Sequence, residues 1–274
     1  MPRELAHAKL NLVLHVGRPR EDGLHPICSL FASIDLADEV TATPLEHGED
    51  RVDCPGVPDY NLAARALADF RARAGHRLPA LALRIDKRIP VAAGLGGGSA
   101  DAAATLRIAN ELAGDPLTHE ELFRLAAGLG SDVPSQLDPK HVLVQGAGER
   151  LEPIELAPFA AVLIPDAQGL RTGDVYAELD RLGACREQLD PAPLRALAAA
   201  SLEDLAANIH NDLEPAALSL RPDLEPRLDA LRGAGALGAA LSGSGPTCFG
   251  VFADREAAEE AAAAIPGALV AETR

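Results

Sequence analysis

The sequence predicts an α+β protein built of two domains. Strand-like alternations and helical-period runs are interleaved along the whole chain. In the second half they fall in the order strand, helices, strand, strand, helix, strand, which suits a layered α+β sandwich with a mainly antiparallel sheet. The length, 274 residues, makes one large domain or two ordinary ones. Pro153 and Pro158 mark the expected boundary, giving domains over residues 1–152 and 153–274.

Residues 5–16 alternate to some extent and predict a strand, with a turn over 17–23. Two more strands are expected at 27–36 and 38–43, then a loop over 44–60, rich in Pro, Gly and acidic residues. Asn61 suits an N-cap, and Leu62, Ala66, Leu67 and Phe70 recur at helical spacing up to Gly75. Residues 80–86 alternate again; a glycine loop runs from Gly94 to Gly98, and a helix over 99–113 follows. Thr118 with Glu121 has the spacing of a capping box for a helix at 118–128. Strands are expected at 141–145 and 160–164, and helices at 172–181, 193–207 and 223–233. Strands at 237–241 and 247–252, a helix at 255–264 and a strand at 268–272 complete the order.

Lys and Arg total 25 against 41 Asp and Glu, a net charge of −16. That excludes a general nucleic-acid binder, which needs a basic face. It leaves room for a small phosphorylated ligand with a local positive site. The basic residues are nearly all Arg, with Lys only at 9, 87 and 140, so each lysine is a candidate for amine chemistry. Cys28, Cys54, Cys185 and Cys248 show no metal-ligand spacing and read as free thiols of a reducing compartment. With no long apolar run, neither a signal peptide nor a membrane span is expected, and a cytoplasmic protein is.

The stretch from Pro90 through Gly94, Leu95, Gly96, Gly97 and Gly98 to Ser99 and Ala100 is the most informative. Glycines let backbone N–H groups approach a ligand, and the helix that follows offers unpaired N–H groups and a positive dipole end. A phosphate site is expected; the alternative is a plain surface turn. A P-loop is excluded because no Lys precedes Ser99, and a dinucleotide fingerprint because the third glycine position is Ser99 and two helices follow.

This loop resembles the ATP-binding motif of the GHMP kinases. Ala8-Lys9-Leu10-Asn11-Leu12 and Leu241-Ser242-Gly243-Ser244-Gly245-Pro246-Thr247 resemble that superfamily's first and last motifs. Asp22-Gly23-Leu24-His25, Ser131-Asp132-Val133-Pro134 and Asn211-Asp212-Leu213-Glu214 are similar to the branch that acts on a cytidine diphosphate-linked methylerythritol. The resemblance implies a two-domain fold, with an N-terminal domain like ribosomal protein S5 domain 2 and a ferredoxin-like C-terminal domain. It implies an ATP- and Mg²⁺-dependent small-molecule kinase of the non-mevalonate isoprenoid pathway, with no nucleic-acid or membrane partner. It assigns ATP binding to residues 1–152 and substrate binding to residues 153–274. Other GHMP kinases mostly carry a different loop, and a turnover-dead regulator would not need both Lys9 and Asp132.

By the same resemblance Asp132 is the catalytic carboxylate, although it also suits a turn cap before Pro134. Lys9 is the catalytic amine; the alternative is an edge residue on a strand. Pro90, Gly94, Leu95, Gly96, Gly97, Gly98, Ser99 and Ala100 would bind ATP, with Asn61 beside the adenosine or serving only as an N-cap. Ser99 would ligate the metal; the family's second Ser is here Ala100, so the ligand is Ser99 or water. Asn11, His25, Thr172, Tyr176, Gly243 and Ser244 would contact the substrate, with Tyr176 stacking on cytosine or merely lining a helix face. Leu24 stands where the family has Tyr.

Overall fold

Two long strands organise the chain: β1 (Arg3–Val16) and β2 (Ile27–Leu45) are mostly apolar and buried along most of their length. The structure, a computed structural model, describes residues 1–57, 61–75 and 78–274. The chain packs as two units. One comprises Met1–Ala8, Leu36–Val91 and Gly96–Pro139; the other comprises Lys9–Asp35, Ala92–Leu95 and Lys140–Arg274. This differs from a single cut between 152 and 153. The reason is that β1 and β2 each run unbroken through both units, so each unit gathers three separate stretches of chain.

In the first unit the far end of β2 pairs antiparallel with β4 (Ala80–Asp86). A short strand, β3 (Arg51–Asp53), lies parallel on the other edge of β4. Helices α1 (Leu62–Ala74), α2 (Gly97–Leu112) and α3 (His119–Leu129) supply the rest of the core. Phe70 and Leu67 of α1, Leu106 and Ile108 of α2, and Leu81, Leu83 and Ile85 of β4 are fully buried together. Asn61 caps α1 by accepting the Ala64 N–H at 2.9 Å. The Thr118–Glu121 capping box of α3 is present in full.

In the second unit the near end of β2 pairs with β5 (Val142–Gly146), which turns back into β6 (Arg150–Pro153). A separate antiparallel sheet has the order β11-β7-β10-β9, formed by β7 (Ala160–Ile164), β9 (Gly238–Leu241), β10 (Cys248–Phe252) and β11 (Leu269–Glu272). Between β7 and β9 come α4 (Thr172–Leu182), α5 (Ala192–Ala198), α6 (Leu202–Ala207), α7 (Glu214–Leu220) and α8 (Glu225–Gly233). The two-residue β8 (His210–Asn211) precedes α7 and pairs parallel with β1, while α9 (Arg255–Ala263) joins β10 to β11. The sheet order and the helical connections are those of a β-α-β-β-α-β sandwich.

Several expected elements change. The strands at 27–36 and 38–43 are one strand, because Asp38, which breaks the apolar pattern, is buried in an ion cluster. The helix at 193–207 is two, since Ser201 caps a new start by accepting the Asp204 N–H. The short strands β3, β6 and β8 and helix α7 have no counterpart among the expected elements. All four cysteines are free, and burial pushes Cys28 to about 11 and Cys248 to about 12. Among the described residues, no helix is long and apolar enough to cross a membrane.

Candidate active site

The glycine loop feeds directly into α2. The helix begins at Gly97, two residues earlier than expected, with Gly96 in the left-handed region at φ 73° as its cap. Ala100 N–H is bonded to the Gly96 carbonyl at 2.9 Å. The N–H groups of Gly97, Gly98 and Ser99 therefore stand ahead of the first helical hydrogen bond, at the positive dipole end. A Cβ on Gly98 would meet nothing within 4 Å, so its backbone faces open space. Ser99 is half-buried in the same turn, Ala100 is buried, and Pro90 is half-buried just before the loop. Asp132 is half-buried in the turn before a 3-10 helix at Pro134–Gln136, and its carbonyl accepts the Ser135 hydroxyl at 2.7 Å.

Beneath this helix start lies a buried ion cluster. Lys87 donates to Asp38 and, at 2.7 Å, to Asp101. Burial pushes the Asp101 carboxyl up to about 7, against the pull of the Lys87 ammonium and with an added push from Asp38. Burial alone would lower the Lys87 amine, but the two carboxylates outweigh it and raise it. Between the ordinary 3.8 and about 7, folded Asp101 keeps a proton that the unfolded chain releases. Its contribution to stability is thus full below the ordinary value and is lost as pH rises through the folded one. Asp101→Asn is expected to melt above the parent chain near pH ~8, with the gap closing towards pH ~4. A pH-independent gap in thermal melts would contradict this.

The second unit builds a set of contacts around Lys9. The residue is 4% exposed, and its ammonium donates to Asn11 Oδ1 and, at 3.1 Å, to the Gly94 carbonyl. It lies 4.9 Å from the centre of the Phe31 ring, a cation–π distance. Ser242 Oγ donates to the same Gly94 carbonyl at 3.0 Å, and Asn11 Nδ2 reaches Ser29 Oγ at 3.2 Å. Gly243, at φ +59°, sits so close that a Cβ would lie 3.3 Å from Asn11 Oδ1 and 3.4 Å from Lys9 Nζ. Leu95 accepts the Lys9 backbone N–H at 3.0 Å. Lys9 is thus a buried, oriented amine and not an edge residue.

A neighbouring group on the same unit gathers His25, Tyr176, Thr172 and Ser244. The Tyr176 and His25 rings lie 5.0 Å apart at a 46° tilt. His25 Nδ1 is 2.9 Å from the Gly17 carbonyl, which can only accept, so this nitrogen carries a proton. Its Nε2 faces Asp180 at 3.3 Å. The hydroxyls of Thr172 and Ser244 meet at 3.1 Å. Leu24 is 53% exposed and adds no aromatic face.

These two motif-bearing units have counterparts among known proteins. Residues 61–138 match the GHMP kinases N terminal domain, and residues 193–271 match the GHMP kinases C terminal. A 4-diphosphocytidyl-2-C-methyl-D-erythritol kinase of Streptomyces coelicolor is 45% identical over 268 residues, covering 93% of this chain and 89% of that protein. The chain belongs to the 4-diphosphocytidyl-2-C-methyl-D-erythritol kinase family, a branch of the GHMP kinases. A relative of the same name from Anaeromyxobacter sp. is 44% identical, covering 97% of this chain and 87% of that protein. A crystal structure of 4-(cytidine 5'-diphospho)-2C-methyl-D-erythritol kinase superposes with a TM-score of 0.85 at 34% identity, covering 99% of this chain and 98% of the other. A homoserine kinase from Cytophaga hutchinsonii shares the fold, at a TM-score of 0.69 and 21% identity, over 89% of this chain and 88% of the other.

For this member of the family, the structure gives tasks to residues that carry none in the sequence pattern. Asn211 Nδ2 bonds the carbonyls of Leu241 at 2.8 Å and Gly243 at 2.7 Å, fixing the turn that faces Lys9. Asp212 accepts from Val16 N–H at 2.8 Å and from Arg186 at 2.6 Å and 2.9 Å. Both belong to a motif visible in the sequence. Their task, bracing a turn and a strand end, depends on partners 26 or more residues away, which no local pattern reveals.

Proposed function

We propose that the chain transfers the γ-phosphoryl group of ATP to the 2-hydroxyl of 4-diphosphocytidyl-2-C-methyl-D-erythritol, a step of non-mevalonate isoprenoid precursor synthesis. Membership of that kinase family supports the reaction. The observation that carries it in this chain is the buried Lys9 ammonium, held by Asn11 and the Gly94 carbonyl. A buried amine fixed by two acceptors is preorganised for charge that develops at an attacking oxygen.

Phosphoryl transfer is mostly positioning and charge neutralisation. The free N–H groups of Gly97, Gly98 and Ser99 suit the phosphates of ATP. Gly94, Leu95 and Gly96 shape the approach, and Pro90 and Ala100 bound the loop; Asn61 acts first as the α1 cap and only secondarily beside the adenosine. Asp132 accepts the proton of the substrate hydroxyl, and Lys9 lowers that hydroxyl's pKa. The Ser99 hydroxyl is a hard oxygen donor in the first turn of α2, and one such ligand fits Mg²⁺, which keeps most of its waters. When bound, Mg²⁺ neutralises charge on the phosphate oxygens. Asn11, Thr172, Gly243 and Ser244 line the substrate side. His25 and Tyr176 receive the cytosine, with Tyr176 supplying the stacking face. Nucleotide binding thus falls within the 61–138 match, whereas the substrate side draws on Asn11, His25, Thr172 and Tyr176 as well as on Gly243 and Ser244 of the 193–271 match.

A coupled ADP-release assay tests the reaction, with homoserine and mevalonate as alternative acceptors. Turnover with either of those and none with the cytidyl substrate would overturn it. Tyr176→Ala is expected to raise the KM for the cytidyl substrate by about tenfold, the scale of one base stack, while the KM for ATP stays nearly constant. Equal changes in both would refute the stacking role.

A further inference from the structure

Of the three lysines in this Arg-rich chain, Lys9 has a place in the reaction above and Lys140 is exposed. Lys87 has neither an exposed position nor a task. It follows β4 directly, and its side chain is only 12% exposed. Its ammonium bridges Asp38 on β2 and Asp101 on α2. Asp38 is fully buried, and its second oxygen accepts the backbone N–H groups of Arg88 and, at 2.8 Å, Ile89. Asp101 is 5% exposed, and its Oδ1 has no hydrogen-bond partner. A Cβ on Gly97 would come within 3.3 Å of Lys87 Nζ and 2.9 Å of Ile89 Cγ2. The ammonium therefore stands directly beneath the backbone of the first residue of α2.

Such a cluster is a poor way to gain stability, because each buried ion loses its hydration at a cost of several kcal/mol. Apolar side chains would hold the same three segments together at lower cost, but their contacts lack direction. Charged hydrogen bonds fix one arrangement. Here they fix the exit of β4 and the start of α2 against β2. The cluster has one ammonium for two carboxylates, so it offers a phosphate no net positive charge. What it can contribute is geometry.

We propose that Asp38, Lys87 and Asp101 are positioning residues that set the direction of the free N–H groups at the start of α2, and thereby the affinity for the phosphates of the nucleotide. They act through Gly97 and the segment 88–89. This rests on the reading of the glycine loop as the nucleotide phosphate site.

The full chain carrying Lys87→Met is titrated by calorimetry with ATP, adenosine and inorganic triphosphate, with melting curves alongside. The charge-balanced double variant Asp38→Asn/Lys87→Gln covers the case in which unpaired carboxylates unfold the single variant, since the carboxyl left behind, Asp101, is the one that burial lets hold a proton up to about 7. The Kd for ATP and triphosphate is expected to rise about tenfold or more, while that for adenosine moves less than about twofold. In turnover the KM for ATP rises, with kcat at saturating ATP and the KM for the alcohol substrate nearly unchanged. Equal losses for ATP and adenosine mean a merely structural role and overturn the proposal. So does unaltered ATP affinity in the folded double variant. If the parent chain binds adenosine but neither ATP nor triphosphate through this loop, the phosphate-site reading itself fails, which is a different result from a parent that binds and variants that match it.

Discussion

Replacing Lys9 by Met is expected to lower kcat by about 10²–10³-fold, the usual scale for losing one preorganised charge in a reaction centre. Folding should survive. Met has similar length, and the Phe31 face accommodates an apolar chain as well as a cation. The Gly94 carbonyl keeps the Ser242 hydroxyl as a donor at 3.0 Å, and Asn11 Oδ1 keeps the same hydroxyl at 3.5 Å. The loss should therefore appear in kcat, with both KM values little changed and the melting temperature close to that of the parent. Asp132→Asn should fall on a similar scale, about 10²–10⁴-fold, through loss of the proton acceptor. Either variant turning over within about tenfold of the parent would remove that residue from the chemistry.

Gly94→Ala is expected to damage both the fold and the site with a single methyl group. At φ +78° an alanine is strained by about 1–2 kcal/mol before any contact is considered. Its Cβ would also lie 2.3 Å from the Ser242 carbonyl oxygen and 2.9 Å from that of Gly245. Both obstacles are backbone, so the 242–245 turn must move. That turn carries the bonds to Asn11 and Asn211. We expect a loss of about 3 kcal/mol or more in denaturant titration, together with loss of turnover. Gly98→Ala is the control. Its Cβ meets open space and a helical first turn favours Ala, so stability should hold or rise slightly while the KM for ATP increases. If the two variants melt alike, the close approach of Gly94 to the turn is not what the protein depends on.

Signals in the sequence are legible where they act locally. The Thr118–Glu121 capping box, the apolar run at 160–164 and the Asn61 cap are all where their chemistry puts them. The start of α2 is harder to place, because three glycines read as loop. Gly96 is the cap, and Gly97 opens the helix because it must pass over Ile89 and Lys87, a constraint set by chain 8 to 10 residues earlier. The apparent break near Leu36–Ala37 has the same origin. An Asp in an apolar strand looks like an end until its buried lysine is known. The Lys9 motif is legible through its resemblance, but the groups that hold it in place are not all so. Asn11 is two residues away and visible, whereas Gly94, Ser242 and the bracing Asn211 reach it only through the fold.

The routing of β1 and β2 through both units has a consequence for synthesis. Every stretch of the first unit has been made once residue 139 is added. The stretch Lys9–Asp35, although among the earliest made, must wait for chain that comes much later: β8 at His210–Asn211 and the turn at Ser242. Until that turn arrives, the Gly94 carbonyl lacks its hydroxyl donor and the Lys9 amine lacks the cover of Gly243. A ribosome-bound chain stalled before residue 241 should thus leave Lys9 more open to an acylating reagent than the finished protein, where it is 4% exposed, so the amine is sealed into its working position among the last events of folding.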